Sequence, residues 1–141
     1  MLYYIAIGLT IIANLFYHIF QKSIPENVNP FVSLIATYIS AIVVSLAVFL
    51  IYPGNSNIPL TLKSLNWASF ALGIAIVGLE VGFLLAYRAG WNLSIAAAFS
   101  NVAVTLLLIP VGIILFKEKL SVINITGLVF CVLGLILVNY K

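Results

Sequence analysis

Long apolar runs separated by short polar stretches are the main pattern along this chain of 141 residues. Five of the runs are long enough for a helix to cross the hydrocarbon core of a bilayer, which takes about 20 residues. The polar stretches between them are rich in Asn, Ser, Gly and Pro, which end helices and form turns. The pattern therefore predicts five transmembrane helices, over residues 2–20, 30–52, 67–88, 94–116 and 122–140.

Two local features refine this prediction. Pro30 directly follows Asn29, which predicts that Asn29 caps the second helix and that Pro30 occupies its first turn. The stretch 59–66, between the second and third runs, predicts a short helix at the membrane interface. No internal repeat is visible, so the chain reads as one five-helix domain over residues 1–141.

Composition places this domain in a membrane. Hydrophobic residues make up 65% of the chain and charged residues 6%, with a mean hydropathy of +1.28. A soluble domain carries about 25% charged residues, so the fold class is an all-α integral membrane protein. The net charge of +3 comes from single, scattered residues, which argues against a nucleic-acid partner.

The third run contains the one acid inside a predicted span. Glu80 lies just past the midpoint of that run, where a carboxylate costs about 3 kcal/mol or more unless it is protonated, paired or hydrated. Tyr87 shares its helix face, while Gly78 and Gly82 lie on the opposite face. We expect the glycine face to contact a neighbouring helix and the Glu80 face to line a cavity.

Polar residues in the first run suggest a second part of this cavity. Asn14 and His18 are four positions apart and share one face, which Gln21 continues outward. They could form a donor and acceptor pair beside a pathway, with His18 titrating near neutrality. The alternative is a hydrogen bond between helices, or a histidine at the membrane interface.

The last two runs combine a polar residue, a proline and a small-residue stripe. The amide of Asn101 needs partners in hydrocarbon and could hold Glu80, a ligand or a packed helix. Pro110 frees a backbone carbonyl and predicts a kink, which makes it a candidate hinge. A stripe of small residues in the fifth run predicts an assembly surface; its members are Asn124, Gly127, Cys131 and Gly134.

The sequence contains no motif for catalysis, metal binding or phosphate binding. The sequence has no phosphate-binding glycine loop, no His/Cys set with metal spacing and no nucleophile with an evident base. We therefore expect no enzyme activity, no cofactor and no metal.

Basic residues show no bias between the two sides of the predicted bundle. Each side carries three of them: Lys63, Lys117 and Lys119 on one, and Lys22, Arg88 and Lys141 on the other. Since this bias sets orientation, the balance predicts that the chain inserts both ways. Two opposed copies would then resemble the inverted repeats of transporters. The alternative is a single orientation fixed by other features.

The second half of the chain resembles the end of an EamA domain of the drug/metabolite transporter superfamily. The matching features are Pro110, the turn FKEKLS with Glu118, and two glycines seven positions apart, Gly127 and Gly134. Five spans match the layout of one such domain. The resemblance implies a carrier of small metabolites or drugs that works by alternating access in a prokaryotic plasma (inner) membrane.

The chain departs from that family in two ways. Typical members carry two domains inverted relative to each other, whereas this chain has one, so we expect an antiparallel homodimer of about ten helices or a heterodimer with another half-transporter. The related four-helix small multidrug resistance proteins place their essential acid in the first helix, where this chain has Asn14. Proton coupling at Glu80 therefore rests on its position alone.

These observations lead to three hypotheses. The first is a dimeric secondary transporter of small solutes, including organic cations, with a cavity lined by Glu80, Tyr87, Asn101, Asn14 and His18. Phe83, Tyr87 or Trp91 could add a cation–π contact to a cationic substrate. The second is a subunit of a lipid-linked substrate flippase, with a laterally open groove between spans. The third is a non-transporting membrane interaction protein in which Glu80 pairs with a buried donor.

Overall fold

The computed structural model describes residues 2–51 and 57–139, which form six α-helices. They are α1 (Leu2–Ser23), α2 (Pro30–Ile51), α3 (Ile58–Lys63), α4 (Trp67–Arg88), α5 (Leu93–Leu115) and α6 (Val122–Asn139). No strand occurs in these two ranges. The all-α prediction is thus confirmed for the described residues, and α3 is the short helix expected between the second and third spans. The predicted ends at Tyr52 and Tyr140 lie outside the described residues.

Four of these helices, α1, α2, α4 and α5, are long and apolar enough to cross a membrane. The apolar part of α6 is shorter, Val122–Val138. Only 6–11% of the residues in the apolar windows of the four long helices are buried inside the chain. Most large apolar side chains therefore face outward, where lipid or another protein would cover them. The fold is that of a multi-pass membrane protein.

Side chains just before three helices satisfy backbone N–H groups that the first turn leaves free. Asn29 Oδ1 accepts a hydrogen bond from the N–H of Phe31 at 2.9 Å, which confirms the predicted cap of α2. Asn66 Oδ1 does the same for Ala68 at 3.0 Å, at the start of α4. At the start of α6, the N–H of Asn124 donates to Ser121 Oγ at 3.2 Å.

Hydroxyl groups within the spans bond to carbonyl groups of their own helices. Thr37 Oγ1 donates to the carbonyl of Ser33 at 3.1 Å, and Ser40 Oγ donates to the carbonyl of Ala36 at 2.9 Å. Thr105 Oγ1 donates to the carbonyl of Asn101 at 2.7 Å. Such bonds satisfy a hydroxyl in hydrocarbon without a partner helix, so these residues need no functional explanation.

The chain divides into two compact units, which we describe separately. The Glu80 unit comprises Ile19–Arg88, and within it α2 packs against α4. The α5–α6 unit comprises Met1–His18 and Ala89–Lys141, and within it α5 packs against α6. The last turn of α1 belongs to the Glu80 unit.

The end of α5 is shaped by a close approach at Gly112. The N–H groups of Phe116 and Glu118 both donate to the carbonyl of Gly112, at 3.1 and 3.0 Å, and Lys117 between them has a positive φ of 53°. A Cβ added to Gly112 would lie 2.5 Å from Glu118 Oε2. Glycine therefore leaves the space in which the Glu118 carboxylate folds back against α5.

The cap of α2 gives a prediction about stability. We expect Asn29→Ala to lower the free energy of unfolding by about 1 kcal/mol, because the N–H of Phe31 loses its acceptor. Asn92→Ala is the matched control, since Asn92 precedes α5 without a side-chain cap bond. Reversible unfolding in mixed micelles measures both values. Equal losses in the two variants would contradict the assigned cap.

Candidate functional site

Glu80 lies on the buried face of α4. Its exposed fraction is 8%, and Leu84 and Tyr87, one and two turns further on, are also buried. The sequence placed Tyr87 on the same helix face as Glu80, and the structure confirms that the two share a side. That side packs inside the Glu80 unit, so the carboxylate does not point outward into acyl chains.

Within the described chain, the Glu80 face of α4 is packed and the glycine face is open. We expected the glycine face to contact a neighbouring helix and the Glu80 face to remain free. Within the described chain, a Cβ added to Gly78 or Gly82 would meet no atom within 4 Å, whereas the Glu80 face is the packed one. The larger side chains of the Glu80 face offer more contact area than glycine backbone does. The glycine face stays open for lipid or for the predicted second copy.

Gln21, in the last turn of α1, holds α4 at the level of Glu80. Its Nε2 donates to the backbone carbonyl of Glu80 at 2.6 Å, and only 7% of Gln21 is exposed. The predicted first span ended at residue 20, but α1 continues to Ser23 and carries Gln21 into the packed interior. The polar face of α1 thus makes a hydrogen bond between helices at Gln21.

Tyr38 on α2 is the second polar neighbour of Glu80. Its hydroxyl oxygen is buried and has no hydrogen-bond partner among the described residues. It lies within electrostatic range of the Glu80 carboxylate. Tyr38 is eight positions after the start of α2 and Glu80 eight before the end of α4. At 1.5 Å per residue, each lies about 12 Å along its helix from that end.

The Glu80 carboxylate makes no bond to a described residue, and its oxygens are not among the fully buried side-chain atoms, so they keep slight exposure. Gln21 bonds to the backbone of Glu80, and across residues 2–51 and 57–139 no hydrogen bond or ion pair reaches the carboxylate oxygens. A buried carboxylate without a partner is costly in a low-dielectric interior. The Glu80 carboxylate can lower this cost by taking up a proton, water or a cation.

A small cavity lies at the ends of α1 and α4. Its volume is about 90 Å³, and it is lined by Gln21, Lys22, Ile24, Glu26, Leu84, Tyr87 and Arg88. Lys22 Nζ sits 5.7 Å from the centre of the Tyr87 ring, which also stacks on Phe83 with centroids 5.9 Å apart. Glu80 does not line this cavity. Leu84 and Tyr87, which lie on the same face of α4 as Glu80, do line it.

Arg88 ties the end of α4 to the loop between α1 and α2. Its Nη2 donates to the carbonyl of Val28 at 2.7 Å and to that of Pro25 at 3.2 Å. Its Nε is buried and makes no hydrogen bond to any described residue. The loop that precedes α2 is therefore fixed to α4 through one guanidinium group.

The remaining predicted cavity residues belong to the α5–α6 unit. Asn14 and Asn101 are exposed, and His18 is buried, with its ring 5.1 Å from that of Tyr17. The ring of Trp91 lies 5.7 Å from that of Phe99. Since Glu80 and Tyr87 belong to the other unit, a cavity shared by all six predicted residues stays a prediction.

Grooves run between α5 and α6. One, of about 660 Å³, is lined mainly by apolar side chains such as Ile109, Leu128 and Leu133. Another, of about 500 Å³, is lined in part by Thr105, Asn124, Gly127 and Cys131. A Cβ added to Gly127 or Gly134 would meet no described atom within 4 Å. The small-residue stripe thus borders open space in this chain, and its assembly role stays a prediction.

Helix α5 continues through Pro110, whose hinge role is likewise still a prediction.

Sequence reasoning missed three residues of the Glu80 unit. Gln21 was noted only as an extension of a polar face, although its spacing from His18 already placed it there. Tyr38 carried a signal of its own, because a tyrosine well inside a span is away from the interface that tyrosines favour. Arg88 gave no such signal, since an arginine at the end of a span is ordinary.

The bond from Gln21 gives a second prediction about stability. We expect Gln21→Leu to lower the free energy of unfolding in mixed micelles by about 1 kcal/mol, because a buried interhelical hydrogen bond is lost. Asn14→Leu is the control, since it makes the same kind of change at an exposed position of α1. An unchanged stability for Gln21→Leu would contradict the assigned bond.

No protein-family model, curated protein or solved structure matched the chain. The resemblance to EamA domains therefore stays a prediction drawn from the sequence, and the Glu80 unit has to be interpreted from its own chemistry.

Proposed function

We propose that this protein is a secondary transporter of small organic solutes, including organic cations, in the plasma membrane of a prokaryote. The observation that carries the proposal is Glu80, a residue that is only 8% exposed and whose carboxylate makes no hydrogen bond or ion pair to a described residue. Ionisable residues inside a membrane are costly, and they commonly mark ion or substrate pathways. No enzyme activity is part of the proposal.

The mechanism rests on competition between two ligands for one carboxylate. A proton and a cationic substrate compete for the same oxygens, so Glu80 would bind one or the other. The Tyr38 hydroxyl lies within electrostatic range of Glu80, and the ring of Tyr87 lies two turns further along the same face of α4. Exchange of the two occupants on opposite sides of the membrane would couple proton movement to solute movement.

A single chain supplies half of the helices of a typical two-domain carrier. We propose that two copies in opposite orientations, or this chain and another half-transporter, complete it. The balanced basic residues support dual orientation. The glycine face of α4 supports close contact with a second chain, because Gly78 and Gly82 meet no described neighbour in their own chain.

One observation favours the second hypothesis, a subunit of a lipid-linked substrate flippase. The groove of about 660 Å³ between α5 and α6 has a predominantly apolar lining, which suits an acyl or prenyl chain. A flippase would move a labelled long-chain lipid between leaflets and would not depend on Glu80.

Transport in liposomes separates these functions. We expect wild-type protein to move protons when the organic cation tetraphenylphosphonium is added, as recorded by a pH-sensitive dye inside the liposomes. Glu80→Gln should reduce this signal to that of protein-free liposomes, because the amide has no proton to exchange. Glu118→Gln, an exposed acid in the turn after α5, is the matched control and should behave like wild type.

Two results would contradict the proposal. Full proton movement by Glu80→Gln would remove Glu80 from the coupling role. A folded wild-type protein that moves neither protons nor a panel of small solutes would favour the non-transporting interaction protein.

A further inference from the structure

The cavity at the ends of α1 and α4 carries chemistry that the proposed transport does not use. Two of its lining residues, Lys22 and Arg88, are cationic, and one, Glu26, is anionic. Both cations stand in the last turns of the long apolar helices α1 and α4, at the depth where lipid headgroups lie. We propose that this cavity binds a phosphate group, supplied by the headgroup of an anionic glycerophospholipid.

The size and donors of the cavity fit such a group. Its volume of about 90 Å³ is several times the roughly 10–15 Å³ that one water requires, so the cavity has room for a phosphate group. The Arg88 guanidinium lines the cavity and is held in place by two backbone carbonyls. Charged N–H groups of this kind form strong hydrogen bonds to phosphate oxygens.

Lys22 is positioned to complete the site. Its Nζ rests over the Tyr87 ring, which keeps the ammonium group beside the cavity rather than extended into solvent. The carbonyl ends of α1 and α4 and the carboxylate of Glu26 oppose an anion. Binding must therefore come from the two cationic side chains, and the removal of either charge should weaken it.

Basic pockets between transmembrane helices are known to recognise anionic headgroups through the same interactions. The polar loop between α1 and α2 borders the cavity through Ile24 and Glu26, so an incoming headgroup would contact α1, α4 and this loop together. The site does not depend on the proposed transport, because it needs neither Glu80 nor a second copy.

The test measures lipid binding by the full-length protein in a neutral detergent. Dioctanoyl phosphatidylglycerol is titrated by microscale thermophoresis against wild type, Lys22→Gln, Lys22→Arg and the control Lys119→Gln. We expect Lys22→Gln to weaken binding about fivefold, the effect of one basic residue at a membrane surface. Lys22→Arg should bind the lipid as wild type does, because it keeps the positive charge. Lys119→Gln should also match wild type, since Lys119 lies in the turn before α6 and does not line the cavity.

Two further ligands separate the sources of the phosphate. Dioctanoylglycerol, which lacks the phosphate group, should not bind at this site. If inorganic phosphate displaces the lipid competitively, the phosphate site is supported and its physiological ligand extends to free phosphate. Equal binding of dioctanoylglycerol, or equal losses for Lys22→Gln and Lys119→Gln, would overturn the proposal.

Discussion

A carboxylate held among helices that face lipid is the constraint on which the rest of this structure depends. Hydrocarbon offers no water to satisfy Glu80, and its backbone carbonyl, not its side chain, receives the bond from Gln21. Helix α2 packs against α4, and the Tyr38 hydroxyl lies within electrostatic range of the carboxylate without forming a hydrogen bond to it. Both groups therefore favour a third partner, and that unmet requirement is the physical reason to expect binding or proton exchange here.

Many other polar groups of the described chain have hydrogen-bond partners within it. Hydroxyls in the spans donate to their own helices, Asn29 and Asn66 cap the helices that follow them, and Arg88 donates to two loop carbonyls. The Glu80 carboxylate differs from these groups, as do the Tyr38 hydroxyl and the Arg88 Nε, which also lack a hydrogen-bond partner among the described residues. Buried polar groups are almost always paired, so an exception inside a membrane points to function more strongly than a polar residue does by itself.

The helices could be predicted from the sequence because the lengths of the apolar runs and the local capping residues determine them. The third span agrees with α4, and the Asn29 cap needed only its neighbour Pro30. Glu80 stood out because one charge interrupts an apolar run. The partners of Glu80 could not be predicted in the same way, since they depend on how far α1 extends and which face of α2 meets α4. For that reason the packing role of the glycine face stays a prediction, since Gly78 and Gly82 meet no described neighbour in their own chain, and the contacts of Gln21 and Tyr38 were not predicted.

The most direct measurement of the central claim is the accessibility of position 80 from water. In a Cys131→Ala background, Glu80→Cys in membrane vesicles is exposed to a charged thiol reagent that does not cross the membrane. Leu79→Cys is the adjacent control, because Leu79 faces outward from the helices. The account predicts modification at position 80 and none at position 79. A folded protein in which position 80 stays unmodified from both sides of the membrane would contradict it.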